Sequence, residues 1–261
     1  MRPESDLATA GRSQSPLTHA PALEAIELTK VFPGASAAAV DAVSLSVARG
    51  EVVGLLGANG AGKTTLMRMF ASLILPTGGC ARVRGHDTVG DRPGVRAAVG
   101  TVFGGATGLY ERLTVRENLE YFARLGGVSR QELRDHVSEV VGLFGMKEFV
   151  AMPIAHCSSG MKQRTALARA MVHHPTVLLL DEPSTGLDIE AALAVQQCVR
   201  DVSARETAVL VSSHNTTELA ALCERVMIMS HGRSVIEVPA SDFGGGRGLQ
   251  ERFLAAQRGS A

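Results

Sequence analysis

Val52-Val53-Gly54-Leu55-Leu56-Gly57-Ala58-Asn59-Gly60-Ala61-Gly62-Lys63-Thr64-Thr65 is the stretch that decides the fold. Its first five residues have the length and composition of a buried strand. Beyond the glycines, Thr64 to Leu73 places Leu66, Met69, Phe70 and Leu73 at helical spacing. Between the two, Gly57 to Thr64 fits the pattern G-x-x-x-x-G-K-[ST] in the strand, loop, helix setting it requires. Glycines let the backbone wrap a phosphate with its N–H groups pointing inward, and the helix N-terminus adds partial positive charge. Lys63 supplies a point charge for β- and γ-phosphates, and Thr64 offers a hydroxyl to Mg²⁺. The stretch predicts a P-loop NTPase core of α/β class, with Gly57, Asn59, Gly60, Ala61, Gly62, Lys63, Thr64 and Thr65 around the nucleotide phosphates.

Outward from this loop, short apolar segments alternate with longer amphipathic ones. Val177 to Leu180, Ala208 to Val211 and Val226 to Met229 have strand character, which predicts a mainly parallel sheet. Near the start, Ile26 and Leu28, then Val43, Leu45 and Val47, alternate with polar residues, as half-exposed antiparallel strands do. The sheet is therefore mixed, with an antiparallel β subdomain beside the core. From about 107 to 175 the character turns helical, and Thr114-x-x-Glu117 and Ser129-x-x-Glu132 each read as a capping box. This is an inserted helical subdomain. Residues 1–20, rich in Ser, Pro and Thr, read as a disordered tail. The folded unit runs from 22 to 242, and Gly244-Gly245-Gly246 marks a C-terminal tail over 243–261, within which Leu249 to Ala256 reads either as a short helix contacting a partner or as a solvated tail.

Composition narrows the function. The 261 residues carry 26 Lys and Arg against 26 Asp and Glu, so no overall basic field draws the chain to nucleic acid or anionic lipid. No apolar stretch approaches the roughly 18 residues of a membrane span, and residues 1–20 lack the apolar segment of a secretory signal. Cys80, Cys157, Cys198 and Cys223 show no metal-binding or disulfide spacing. These features read as a cytosolic, reduced protein.

A second phosphate-linked element is Val177-Leu178-Leu179-Leu180-Asp181-Glu182, an apolar strand ending in two carboxylates. An Asp-Glu pair after a strand is by itself as compatible with a solvated turn or a helix cap. Beside a P-loop, Asp181 is placed to hold the Mg²⁺ shell and Glu182 to polarise a water for attack on the γ-phosphate.

Ser158-Ser159-Gly160-Met161-Lys162-Gln163-Arg164 lies upstream of that strand and opens a helix. Here the sequence resembles the ATP-binding cassette family, whose signature motif occupies this place. Pro183-Ser184-Thr185-Gly186-Leu187-Asp188 resembles the family's D-loop, His214 its switch histidine, and Phe32 the aromatic ring that stacks on adenine. The resemblance spans about residues 22 to 238. It implies a head-to-tail dimer sandwiching two Mg-ATP, each held by Lys63 and Thr64 of one chain and by Ser158, Ser159 and Gly160 of the other. Glu182 and His214 would act on the attacking water with Lys63 at the phosphates, Thr64 and Asp181 would hold the metal, and Asp188 would connect the two sites.

The sequence departs from the family in one place. Where a glutamine normally follows the strand before the helical insertion, this chain has Gly105 in Gly100-Thr101-Val102-Phe103-Gly104-Gly105. Glycine has no side chain to ligate through, so hydrolysis is expected to persist with looser coupling to a partner. Gly108 to Leu119, together with the signature segment, looks like the exporter branch whose cassette and membrane subunits are separate chains. The resemblance then implies an ATPase homodimer that docks on an integral membrane permease through the surface around Phe103 to Arg116, peripheral to the inner face of the cell membrane. A soluble cassette ATPase acting on nucleic acid or ribosomes, and a weakly hydrolysing regulator, are the other classes. The first would usually carry a coiled coil, zinc insert or second cassette; intact Lys63, Asp181, Glu182 and His214 argue against the second.

Overall fold

The structure, a computed structural model, describes residues 20–104 and 108–259. The first half runs β1 (Leu23–Lys30), β2 (Val40–Val47), β3 (Val52–Leu56), α1 (Lys63–Phe70), β4 (Gly78–Val83), β5 (His86–Asp87), α2 (Arg92–Ala98) and β6 (Val99–Phe103). It continues through α3 (Val115–Leu125), α4 (Leu133–Leu143), α5 (Ser159–Met171), β7 (Val177–Asp181), α6 (Ile189–Ser203), β8 (Ala208–Ser213), α7 (Thr216–Leu222), β9 (Arg225–Ser230), β10 (Arg233–Pro239) and α8 (Gly245–Gly259).

The strands form two sheets. One is antiparallel, in the order β2-β1-β4-β5; the other has the order β10-β9-β3-β8-β7-β6 and is parallel except for β10 at its edge. Because side chains alternate along a strand, the central strands split the core in two. Val53, Leu55, Val177, Leu179, Leu210, Met227 and Met229 pack with the antiparallel sheet and with Leu66, Met67 and Phe70 of α1. Val52, Leu56, Leu178, Leu180, Val209, Val211, Val226 and Ile228 pack on the opposite face with residues of α3 to α7. Burial on both faces is why these strands read as continuous apolar runs. Arg225, at the start of β9, joins the two sheets: its guanidinium donates to Glu51 and Glu237 and to the Ser46 carbonyl of β2.

The helical insertion lies between β6 and β7 as α3, α4 and α5. Thr114 and Glu117 form a reciprocal capping box at α3, which contributes about 1 kcal/mol. At the second expected box, Ser129 Oγ accepts from Glu132 N and donates to the Glu132 carboxylate in the turn before α4. The helix begins after Glu132, which makes no side-chain cap bond, so the pair does not cap it.

Three expectations are corrected. Helix α1 ends at Phe70, and Leu73 is exposed rather than part of an apolar stripe. The expected C-terminal tail over 243–261 is instead a helix, α8, as far as Gly259: Phe243 and Leu249 are buried in the core, and α8 packs on α7. Burying a leucine stabilises by about 1.5–3 kcal/mol, so the folded unit extends well past 242. Gly244 and Gly245 make the turn into this helix in the left-handed region, at φ of 59° and 71°. Of the expected tail over 1–20 only Ala20 is described, and residues 260 and 261 also lie outside the described residues. Among the described residues no helix is long and apolar enough to cross a membrane.

The third correction concerns the adjacent pair His173 and His174, which reads from sequence as a helix-end pair favoured by the dipole. His173 is half-buried and its Nε2 donates to the Val99 carbonyl at 3.2 Å, between α5 and β6. Burial pushes its pKa below the ordinary histidine value, and His174 and His136 nearby push the same way. The neutral form therefore belongs to the folded state, while the unfolded chain takes up the proton at about pH 6.5. Stability from this group is fully present above that pH and is lost as pH falls through it. Thermal melts should show Tm declining from pH 7 to pH 5, and less steeply in His173→Gln, which retains a donor for the Val99 carbonyl.

Candidate functional site: a P-loop cleft facing two carboxylates

Parallel pairing places the site. Leu56 of β3 pairs with Ser213 of β8, and Asp181 of β7 pairs with Ser212. One residue beyond these pairs lie Gly57, His214 and Glu182, so three loops emerge side by side from the carboxyl ends of adjacent strands. This is where open α/β sheets bind ligands.

The loop itself is a tight cradle. Gly62 adopts φ of 102° at the N-terminus of α1, and a Cβ there would stand 2.3 Å from the Ala39 carbonyl oxygen, so no other residue fits. Asn59, Gly60, Ala61, Lys63, Thr64 and Thr65 line a cleft of about 340 Å³ whose opposite wall includes Asp181 and Glu182. Lys63 is only 6% exposed, and its Nζ donates to the carbonyls of Gly57 at 2.6 Å and Ala58 at 3.2 Å. Burial lowers its pKa, partly offset by the Glu182 and Asp181 carboxylates.

Asp181 is buried and held at both oxygens. Thr64 Oγ1 donates to Oδ2 at 2.7 Å and Ser212 Oγ to Oδ1 at 2.5 Å. The Thr64 hydroxyl and the Asp181 carboxylate are thus adjacent hard oxygen donors, the chemistry that suits Mg²⁺. Glu182 sits in the left-handed region at φ of 54°, unusual for a residue with a side chain. Its N–H is shared between the carbonyl and the Oγ of Ser212, each at 3.1 Å. Its Oε2 accepts from His214 Nδ1 at 2.8 Å and from Thr185 Oγ1 at 3.2 Å. The acid and the histidine expected to handle the water are therefore in direct contact.

The signature residues stand elsewhere. Ser158 caps α5, accepting from Met161 N at 3.2 Å, and Ser158, Ser159 and Gly160 line a separate cleft with Asp188 and Ala191 of the same chain. Asp188 caps α6 through Ala191 N at 2.8 Å. Phe32 follows β1 and is 38% exposed; it is no core residue, and its ring lies 5.2 Å from Lys30 Nζ, outside the lining of the P-loop cleft. Gly105 lies outside the described residues.

Three residues that the sequence reading does not single out organise these parts. Ser212 clips Asp181 and Glu182 together, and Glu218 of α7 binds the loops on either side of the acid-histidine pair. Asn118 of α3, fully buried, accepts from Tyr110 N and donates to the carbonyls of Tyr110 and Thr114, fixing the loop before α3. Signals existed for Glu218 and Asn118: each is a polar residue within an apolar helical pattern, where an unpartnered group would be costly.

Comparison with known proteins agrees with this geometry. The sequence profile of the ABC transporter family matches residues 40–185. The chain is 44% identical over 198 residues to the ABC transporter ATP-binding protein NatA of Bacillus subtilis (strain 168), covering 76% of this chain and 80% of that one. It is 38% identical over 216 residues to the daunorubicin/doxorubicin resistance ATP-binding protein DrrA of Streptomyces peucetius, covering 83% of this chain and 64% of that one, just under two thirds of its length. The solved structure of an ATP-binding subunit of an ABC transporter superposes with a TM-score of 0.78 at 26% identity, covering 90% of this chain and 99% of that one. The chain belongs to the ABC transporter family, as one of its ATP-binding ATPase chains.

Removing the Lys63 ammonium tests the cradle. A hydrogen bond to a charged group contributes about 1.5–3 kcal/mol, so Lys63→Ala should weaken ATP binding by roughly 10- to 100-fold, read by equilibrium titration. Undiminished affinity would remove Lys63 from the site.

Proposed function

We propose that this chain is the ATPase subunit of a two-component exporter, and that it hydrolyses Mg-ATP between two copies arranged head to tail and docked on an integral membrane permease. One observation carries the dimer: within a single chain, the P-loop cleft and the cleft of Ser158, Ser159 and Gly160 share no lining residue. The signature segment opens α5 with small side chains at a helix N-terminus, a natural seat for a phosphate, yet its cleft includes neither Lys63 nor any other residue of the P-loop. A second copy facing the first brings the two half-sites together. Next to the signature cleft, Ile189 is 83% exposed and Leu193 is exposed one helical turn on, apolar surface that such a partner would cover.

In this reading Lys63 and the loop N–H groups hold the β- and γ-phosphates. Thr64 and Asp181 would hold Mg²⁺, which would neutralise charge on the phosphate oxygens. Glu182 accepts the proton of the attacking water as general base. His214, donating from Nδ1 to Glu182, holds the carboxylate in place. Phe32, exposed just after β1, is assigned to stack on the adenine, and Asp188 positions the start of α6 at the partner-facing surface.

The membrane contact is assigned to the surface around Phe103 to Arg116. Tyr110 and Tyr121 are exposed there, packed edge to face at 5.0 Å, with Arg112 and Arg116 alongside. Exposed Tyr and Arg are the residue types that concentrate at protein interfaces. Export, rather than uptake, rests on the similarity to DrrA, named for drug resistance.

Loss of the general base should lower turnover by about 10²- to 10⁴-fold. Glu182→Gln is expected to retain ATP binding and to accumulate as an ATP-dependent dimer in size-exclusion chromatography with light scattering. A monomer at saturating Mg-ATP would overturn the two-copy site. The membrane reading is tested by isolating the chain from detergent-solubilised membranes. A stoichiometric polytopic protein in the eluate supports it; recovery solely with ribosomes, DNA or no partner overturns it.

A further inference from the structure

Glu218 takes no part in the mechanism above, yet it is 5% exposed and lies at the centre of the catalytic loops. Its two carboxylate oxygens accept from two different segments: Ser184 Oγ donates to Oε1 at 2.5 Å and Ser213 Oγ to Oε2 at 2.7 Å. Ser184 follows Glu182 by two residues, and Ser213 immediately precedes His214. The donor accounting closes. Ser213 Oγ accepts from Asn215 N at 3.0 Å, so its single proton goes to Glu218, and Asn215 Oδ1 caps α7 by accepting from Thr217 N and Glu218 N. A carboxylate that accepts at both oxygens matches two hydroxyl donors.

Burying a carboxylate is unfavourable unless its oxygens are hydrogen-bonded. Here the side-chain donors come from the loop that carries the general base and from the last residue of β8, immediately before the histidine. Displacing either loop strips one oxygen of Glu218 of its partner, so the cost of a buried acceptor resists the displacement. The loop after β7 has reason to need such a restraint, because Glu182 holds a left-handed backbone. We propose that Glu218 is a positioning residue that fastens the Glu182 loop to the His214 loop and so maintains the 2.8 Å contact between those two side chains for hydrolysis. The inference rests on the roles given to Glu182 and His214 above.

The test measures ATP turnover, equilibrium ATP affinity and thermal melting for wild type, Glu182→Gln, Glu218→Ala, Glu218→Gln, Ser184→Ala and Ser213→Ala. Small misplacement of a reacting group costs up to about 100-fold, so kcat of Glu218→Ala should fall roughly 10- to 100-fold. ATP affinity should stay within about twofold, since Lys63 and Thr64 are untouched. Glu218→Gln, of the same shape and still able to accept one hydroxyl, should restore kcat to within about fivefold of wild type. Each serine variant should fall between, and the Ser184→Ala/Ser213→Ala double variant should lose no more than Glu218→Ala, as expected for one shared restraint. Unchanged kcat in a folded Glu218→Ala protein overturns the proposal, as does a loss of kcat matched by an equal loss of affinity. Should Glu218→Ala not fold, unchanged turnover in both serine variants overturns it equally. Wild-type turnover that Glu182→Gln leaves intact would overturn the assigned base and this restraint with it; Glu182-dependent turnover that ignores Glu218 would overturn the restraint alone.

Discussion

The register of three adjacent parallel strands is the constraint on which the rest of the structure depends. Leu56 opposite Ser213, and Asp181 opposite Ser212, bring the P-loop, the histidine loop and the acidic loop to a common level. A slip of one residue in β7 would carry Asp181 away from Thr64 and turn every side chain of the strand to the other face. In most sheets such a slip is penalised because apolar residues would meet water. Here both faces are apolar, so the exchange would swap one buried cluster for another. Misregister is opposed by packing volume, and by the polar clip at the strand ends, where Ser212 and Thr64 divide the two oxygens of Asp181 between them. The carboxylate proposed above to hold the metal is also the register lock.

That arrangement also concentrates charge. The chain as a whole is neutral, yet Lys63, Asp181 and Glu182 face one small cleft. Burial works against the lysine's charge while the two carboxylates favour it. The field seen by a phosphate is therefore shaped by three side chains and a helix N-terminus rather than by the protein's net charge. A neutral composition excludes broad polyanion attraction without excluding a strong local anion site.

Much of this was legible in the sequence, for reasons that can be named. The P-loop and the strand ending in Asp181-Glu182 are local patterns in which backbone conformation and chemistry coincide, and the central strands announce themselves by apolar runs. Thr114-x-x-Glu117 forms its capping box because the bonds are short-range. What escaped the reading depends on distance in sequence. The contact of Ser184 with Glu218 joins residues 34 positions apart, and that of Ser212 with Asp181 joins residues 31 apart. Helix α8 reads from sequence as a short helix over 249–256 or a solvated tail, because Gly244, Gly245 and Gly246 at its start break the pattern and its apolar residues are sparse. Leu249 is buried by α7, a partner that no local periodicity reveals. The site glycine that departs from the family, Gly105, lies outside the described residues, so its consequence stays an expectation of the sequence.

In the two-copy reading proposed above, the division of the nucleotide site between two clefts gives the nucleotide a mechanical meaning. Each half alone presents hydrogen-bond donors without a complete shell around the γ-phosphate: Lys63 and the loop on one side, the N-terminus of α5 on the other. A ligand that bridges two such halves stabilises their association by its differential affinity for the joined state, and its cleavage removes that stabilisation. Glu182 and His214 sit at the margin between the buried P-loop and the open surface, with the His214 side chain 63% exposed. A base buried within one chain would act whether or not a second copy were present. Placed at this margin, Glu182 would meet a fully enclosed phosphate only when two such halves close, so in the proposed two-copy reading hydrolysis is tied to assembly.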